Sequence, residues 1–252
     1  MTGSAEPPRQ DWNAERYART ARFVSDLGEP VVDLLDPQPG ERVLDIGCGD
    51  GALTASIVSR GAEVVGVDSS ASLVEAARNR GIDARVVNAN ELTFEREFDA
   101  AFSNAALHWM REPDLVLAGV RRALRSRGRF AGEMGAQGNV AAISTAILAV
   151  LREHGIDGAS RWPWYFPTPA EYAERLEANG FVVVRLGLIP RPTPLPTGIG
   201  RRRKPSNSCL NSSDSMASSG GRLARLRFSE RLCSQRSLKP MKMACRADRV
   251  SK

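Results

Sequence analysis

The chain has 252 residues, 42% of them hydrophobic, which is enough for one domain of ordinary size with a substantial core. The N-terminus has no apolar leader, and the longest apolar patch, "VAAISTAILAVL" (140–151), is too short to span a bilayer, so a cytoplasmic protein without a membrane partner is expected. The net charge of +6 divides unevenly: residues 201–252 carry 14 basic and 3 acidic groups, whereas residues 1–200 are net acidic by 5. The basic character therefore belongs to the tail and does not argue for a specific nucleic-acid partner.

In chain order, residues 14–27 and 29–35 read as helices, ending at the "DPQPG" turn. A βα rhythm follows. "RVLDIG" is a buried strand, "GALTASIVSR" a helix, "AEVVGVD" a second strand, and "SSASLVEAARNRG" a helix capped by Ser69 or Ser70 and stopped by Gly81. "DARVVN" and "FDAAFSN" are the third and fourth strands, and "REPDLVLAGVRRALRSRG" is a helix with Gly128 just past its end. "RFAGEM" is the fifth strand. The rhythm then breaks into the helix "NVAAISTAILAVLREHG", an aromatic insert "RWPWYFPTP", the helix "AEYAERLEANG" and the strand "FVVVRLGLI". Strands with near-continuous apolar character, separated by helices, predict a doubly wound α/β fold with a mostly parallel sheet. Ligands of such sheets bind beyond the carboxyl ends of the strands, which gathers the Asp45–Gly51 loop, Asp68, Asn88 and Asn104 on one rim.

The four cysteines, at 48, 209, 233 and 245, have no metal-ligand spacing, and no metal is expected. "VLDIGCGDG" (43–51) is the most informative stretch. Glycines at alternate positions after a strand let a ligand approach the main chain. Asp68, at the end of the next strand, is placed to accept hydrogen bonds from ribose hydroxyls. A dinucleotide fold would use G-x-G-x-x-G. Here Asp45 and Asp50 flank the glycines, an arrangement that repels a pyrophosphate and suits a cationic ligand.

These residues resemble the class I S-adenosylmethionine-dependent methyltransferases: "VLDIGCGDG" matches their first motif and "VVGVDSS" their second, in order over about 41–134. The resemblance implies a Rossmann-like fold and S-adenosylmethionine as cofactor. Carried onto this chain, Asp45, Gly47, Cys48 and Gly49 meet the methionine moiety, Asp68 and Ser69 the ribose, Asn88 and Ala89 the adenine, and Asn104 completes the rim. "FSNAALHWM" (102–110) lacks the D/N-P-P-aromatic tetrapeptide of nucleobase amino methylases and is similar to the trans-aconitate methyltransferase-like group, which acts on carboxylates. That likeness implies a small-molecule acceptor, with a carboxylate or hydroxyl receiving the methyl group. His108 is then the candidate base or hydrogen-bond donor, and Trp12, Tyr17, Trp109 and Trp164 the candidate acceptor-side residues.

By this reading residues 1–40 form a helical lid, 41–190 the methyltransferase domain with an acceptor-side insert at about 135–167, and 191–252 a linker and basic tail. Family members complete their sheet with a seventh, antiparallel strand. The tail holds 11 serines and a single aromatic, Phe228, and reads as largely disordered, with at most a short element near 223–232 and no regular seventh strand. Two other readings follow from these features: a catalytically impaired methyltransferase-like protein whose C-terminus is aberrant, and a nicotinamide-dependent oxidoreductase, against which the glycine spacing and Asp45 argue.

Overall fold

A computed structural model of the chain describes residues 27–160, 162–189 and 240–247, together with Ser25 and the short segments 191–192 and 237–238. Candidate residues Trp12 and Tyr17, all but Ser25 and Leu27 of the helix expected over 14–27, and the element expected near 223–232 lie outside the described residues.

Helix α1 (Glu29–Leu35) starts on Pro30 and ends at Asp36, whose left-handed backbone (φ 51°) lets its N–H reach Val32 O. Strand β1 (Arg42–Ile46) is followed by α2 (Thr54–Ser59), β2 (Glu63–Asp68) and α3 (Ala71–Asn79), which is capped by Ser70 Oγ accepting from Leu73 N. Next come β3 (Asp83–Val86), β4 (Phe98–Asn104), α4 (Pro113–Ala123) and β5 (Leu124–Gly135). The chain continues through α5 (Ala141–Glu153), α6 (Pro169–Ala178) with a Thr168/Glu171 capping box, β6 (Phe181–Leu188) and β7 (Pro240–Ala247).

The sheet order is β3-β2-β1-β4-β5-β7-β6. The β3-β2-β1-β4-β5 ladders are parallel, and β7 runs antiparallel to both β5 and β6. On one face α1 and α2 bury Val31, Leu35 and Ile57 against Val43, Phe102 and Ala131. On the other, α4 and α6 bury Leu117, Val120 and Tyr172 against Leu44, Phe130 and Phe181. Glu29–Leu35, grouped by sequence with the lid, is thus part of this layered body.

Strand β7 corrects the expectation that a regular seventh strand is missing. It lies in the basic tail and fills the gap between β5 and β6, pairing Arg129–Gly135 with Arg246–Pro240 and Phe181–Leu188 with Ala247–Met241. The physical reason is local alternation: Met241, Met243, Cys245 and Ala247 are all buried, while Lys242, Ala244 and Arg246 point to the opposite face. Average composition concealed this pattern. A second correction falls at α4, which ends at Ala123 instead of running to Gly128. Leu124 is fully buried and already pairs with Phe98; the ladder then skips to Arg129 opposite Ala100, with Arg127 in the left-handed region (φ 65°).

Candidate active site

The turn after β1 is tied to β2, because Gly47 N and Cys48 N both donate to Val67 O, at 2.8 and 3.1 Å. Gly47 has φ 72°, and a Cβ there would stand 2.2 Å from Ala106 Cβ in the loop after β4. Only glycine fits. Gly51 (φ 76°) is equally constrained by α3, with Ala77 Cα 3.2 Å from a would-be Cβ. Gly49 (φ 57°) serves the site itself, donating its N–H to Asp68 Oδ2 at 3.1 Å. Two of the three glycines are therefore required by packing, and the third orders the loop toward Asp68.

The three carboxylates divide by partner. Asp45 is buried and accepts from Thr54 Oγ1 at 2.7 Å; desolvation pushes its pKa up to about 7, against the Thr54 hydrogen bond and helped by the charge of Asp68. Asp68 accepts from Gly49 N and, through Oδ1, from Ser70 N at 2.9 Å, yet desolvation still raises its pKa. Ser69 N–H also faces this carboxylate, and of its roughly four lone-pair sites three main-chain donors leave one for a further donor. Asp50 differs from the sequence reading. Arg80 Nη2 pairs with it at 3.0 Å and Arg80 Nε holds its carbonyl at 2.9 Å, so its charge is already balanced within the fold.

Cys48 contributes main chain only. Its thiol is buried among Val74, Ala77 and Ile82, and burial raises its pKa far above the usual thiol range. Ser69 is exposed beside Asp68. Asn88 Oδ1 accepts from Asn90 N at 3.1 Å, starting a short 3-10 turn with Ala89 buried beneath it. The end of β4 brings Asn104 to the same rim, facing Gly28.

Of the residues expected on the acceptor side, His108 lies in a 3-10 turn after β4. Its Nδ1 accepts from Gly135 N at 3.2 Å, and burial lowers its pKa to about 4. Gly135 has no side chain to block Phe166, whose ring comes within 2.5 Å of a would-be Cβ. The aromatic insert closes over this corner: Trp109 meets Trp164 edge-on at 5.5 Å, Trp164 stacks on Phe166 at 5.6 Å, and Phe166 meets His108 at 5.8 Å. Tyr165 N donates to His108 O at 2.8 Å, fastening the insert to the rim.

Sequence reasoning missed two charged groups here. Glu133, in register with Asn104, is buried at 1% exposure, and Lys242 of β7 stands opposite it with Nζ 3.7 Å from Oε2. Among the described residues no cluster of His, Cys, Asp or Glu is arranged to hold a metal ion, and no helix is long and apolar enough to cross a membrane.

A methyltransferase-domain family model matches residues 44–132, from β1 to β5. An uncharacterized methyltransferase of Schizosaccharomyces pombe is 41% identical over 200 residues, covering 74% of this chain and 76% of its own. A trans-aconitate 2-methyltransferase of Mycobacterium sp. (strain KMS) is 32% identical over 187 residues, covering 67% and 69%. Among solved structures, a chain in the complex of the Haloferax volcanii Trm112 methyltransferase activator with a methyltransferase superposes with a TM-score of 0.63 at 18% identity, over 95% of this chain and 96% of that one. The chain belongs to the S-adenosylmethionine-dependent methyltransferases. It is a transferase with the Rossmann-like methyltransferase fold, and S-adenosylmethionine is its cofactor. The nicotinamide reading is set aside.

The residues of the rim fit that cofactor. A buried carboxylate near the end of β1, a side-chain-free turn at Gly49 and a remaining acceptor position on Asp68 suit a ligand that carries an ammonium, a sulfonium and a ribose hydroxyl.

Proposed function

We propose that the protein methylates a small carboxylic acid, with Asp45 and the Gly47–Gly49 main chain holding the methionine moiety, Asp68 the ribose and Asn88–Ala89 the adenine. The bound cofactor supplies an activated methyl group, on a sulfonium that leaves as a neutral thioether. The protein's task is then to align the acceptor and exclude water, which contributes much of the acceleration in such a displacement.

One observation carries the choice of acceptor. His108 Nδ1 is occupied by Gly135 N–H, so the neutral ring carries its proton on Nε2, and the depressed pKa keeps it neutral near pH 7. Such a ring donates a hydrogen bond and is poorly suited to remove a proton. A carboxylate is ionised at that pH and needs no base; a hydroxyl acceptor would. The aromatic wall of Trp109, Trp164 and Phe166 suits the carbon skeleton of such an acid. The likeness to a trans-aconitate 2-methyltransferase supports the same class.

The test incubates purified protein and S-adenosylmethionine with a panel of small mono-, di- and tricarboxylic acids, phenols and alcohols, with products read by mass spectrometry. Methyl esters from acids are expected. Methylation confined to phenols or alcohols would overturn the reading.

A further inference from the structure

The ladder places two opposite charges beside the acceptor corner. Glu133 sits two residues before the end of β5, in register with Asn104 on one side and Lys242 on the other, so the three side chains share a sheet face at the rim. Gly135, two residues further along β5, gives its N–H to His108. Lys242 and His108 are thus linked through one short run of strand, about 7 Å at ~3.3 Å per residue.

The Glu133–Lys242 pair is not closed. Its 3.7 Å separation exceeds the ~2.7–2.9 Å of a charge-assisted hydrogen bond, and an ammonium has three donors. Glu133 is 2% exposed at its side chain and Lys242 18%, so Lys242 is the more accessible member of the pair. Lys242 brings a positive charge to a rim that also carries the carboxyl groups of Asp45, Asp68 and Glu133.

We propose that Lys242 is an acceptor-binding residue: its ammonium takes a carboxylate of the acceptor other than the one being methylated, while Glu133 is its counter-ion in the free protein. This rests on the carboxylic-acid reading above. Specificity for acids with more than one carboxylate then comes from β7, the strand farthest along the chain.

The experiment is calorimetric titration of di- and tricarboxylic acids, trans-aconitate among them, and of monoacids into full-length protein saturated with S-adenosylhomocysteine. The variants are Lys242→Met, Lys242→Gln and Lys242→Arg. Loss of a charged hydrogen bond predicts roughly ten- to a hundredfold weaker polyacid binding in Lys242→Met and Lys242→Gln. Lys242→Arg should retain it, and monoacid and S-adenosylhomocysteine affinities should not change. If Lys242→Met fails to bind S-adenosylhomocysteine, Lys242→Gln gives the reading. Polyacid binding equal to wild type in a folded, charge-free variant, or wild-type binding of monoacids only, overturns the role of Lys242 and leaves the carboxylic-acid reading standing. If the wild type binds no acid at all, both fall.

Discussion

Asp45 and Asp68 are both desolvated carboxylates, and burial raises the pKa of each. The folded-state pKa of Asp45, about 7 against an ordinary 3.8, favours its protonated form. Its contribution to stability is therefore full below pH ~4 and is lost as pH rises toward 7. An arriving ammonium reverses the preference, because it needs the ionised form. Cofactor affinity should accordingly rise between pH 5.5 and 8, by up to about tenfold per pH unit below 7. Calorimetry across that range should show the slope in wild type and a flatter profile in Asp45→Asn. For His108, lowered to about 4, the sign is opposite: its contribution is present above pH ~6.5 and is lost as pH falls through 4. His108→Ala should keep cofactor affinity within about threefold, ~0.6 kcal/mol, while lowering turnover with acids. A collapse of cofactor affinity in folded His108→Ala would contradict the donor role. At Gly47, alanine would face both a left-handed backbone and the Ala106 methyl at 2.2 Å. Gly47→Ala should cost at least about 1–2 kcal/mol in thermal unfolding and weaken cofactor binding. These residues are legible in the sequence because their signals are local: a glycine spacing, and a carboxylate at the end of an apolar run. Glu133 and Lys242 carry no such signal, since only the ladder brings together residues so far apart in the chain.

At the scale of elements, the βα rhythm is readable from Arg42 to Asn104 because the strands are short, largely apolar and separated by helices or turns. The reading failed where tertiary pairing outweighed local propensity. Residues 124–128 follow a helix without a break in pattern, but the buried Leu124 pairs with Phe98 and draws the chain into β5. In the tail, high charge and serine content hid the alternation Met241, Met243, Cys245, Ala247. Those side chains complete the core against α6, with Cys245 Sγ facing Phe130 O and burial pushing its pKa up to about 12. Strand β7 should therefore exchange its amide hydrogens slowly. Protection over 241–246 comparable to that of Val43–Ile46 is expected. Exchange at the rate of an unstructured peptide would contradict the strand. Its presence removes the missing seventh strand as grounds for an impaired enzyme, and β6, the edge strand, gains a partner along its inner side.

Across the whole molecule, the proposed chemistry gathers on one rim of the sheet. Asp45 and Asp68 lie at the ends of β1 and β2, His108 follows β4, Glu133 closes β5, and Lys242 arrives from β7. In the proposed reading the order along the rim runs from cofactor side to acceptor side, as a methyl donor facing an acceptor requires. The central claim is that the β1–β2 end holds S-adenosylmethionine through Asp68. Its most direct test is calorimetric titration of S-adenosylmethionine at pH 8 into wild type and into Asp68→Ala, with folding checked by circular dichroism. The account predicts one-to-one binding to wild type and roughly ten- to a hundredfold weaker binding to the variant, the loss of about 1.5–3 kcal/mol expected for hydrogen bonds to a charged group. No binding to wild type, or equal affinity in folded Asp68→Ala, would contradict it.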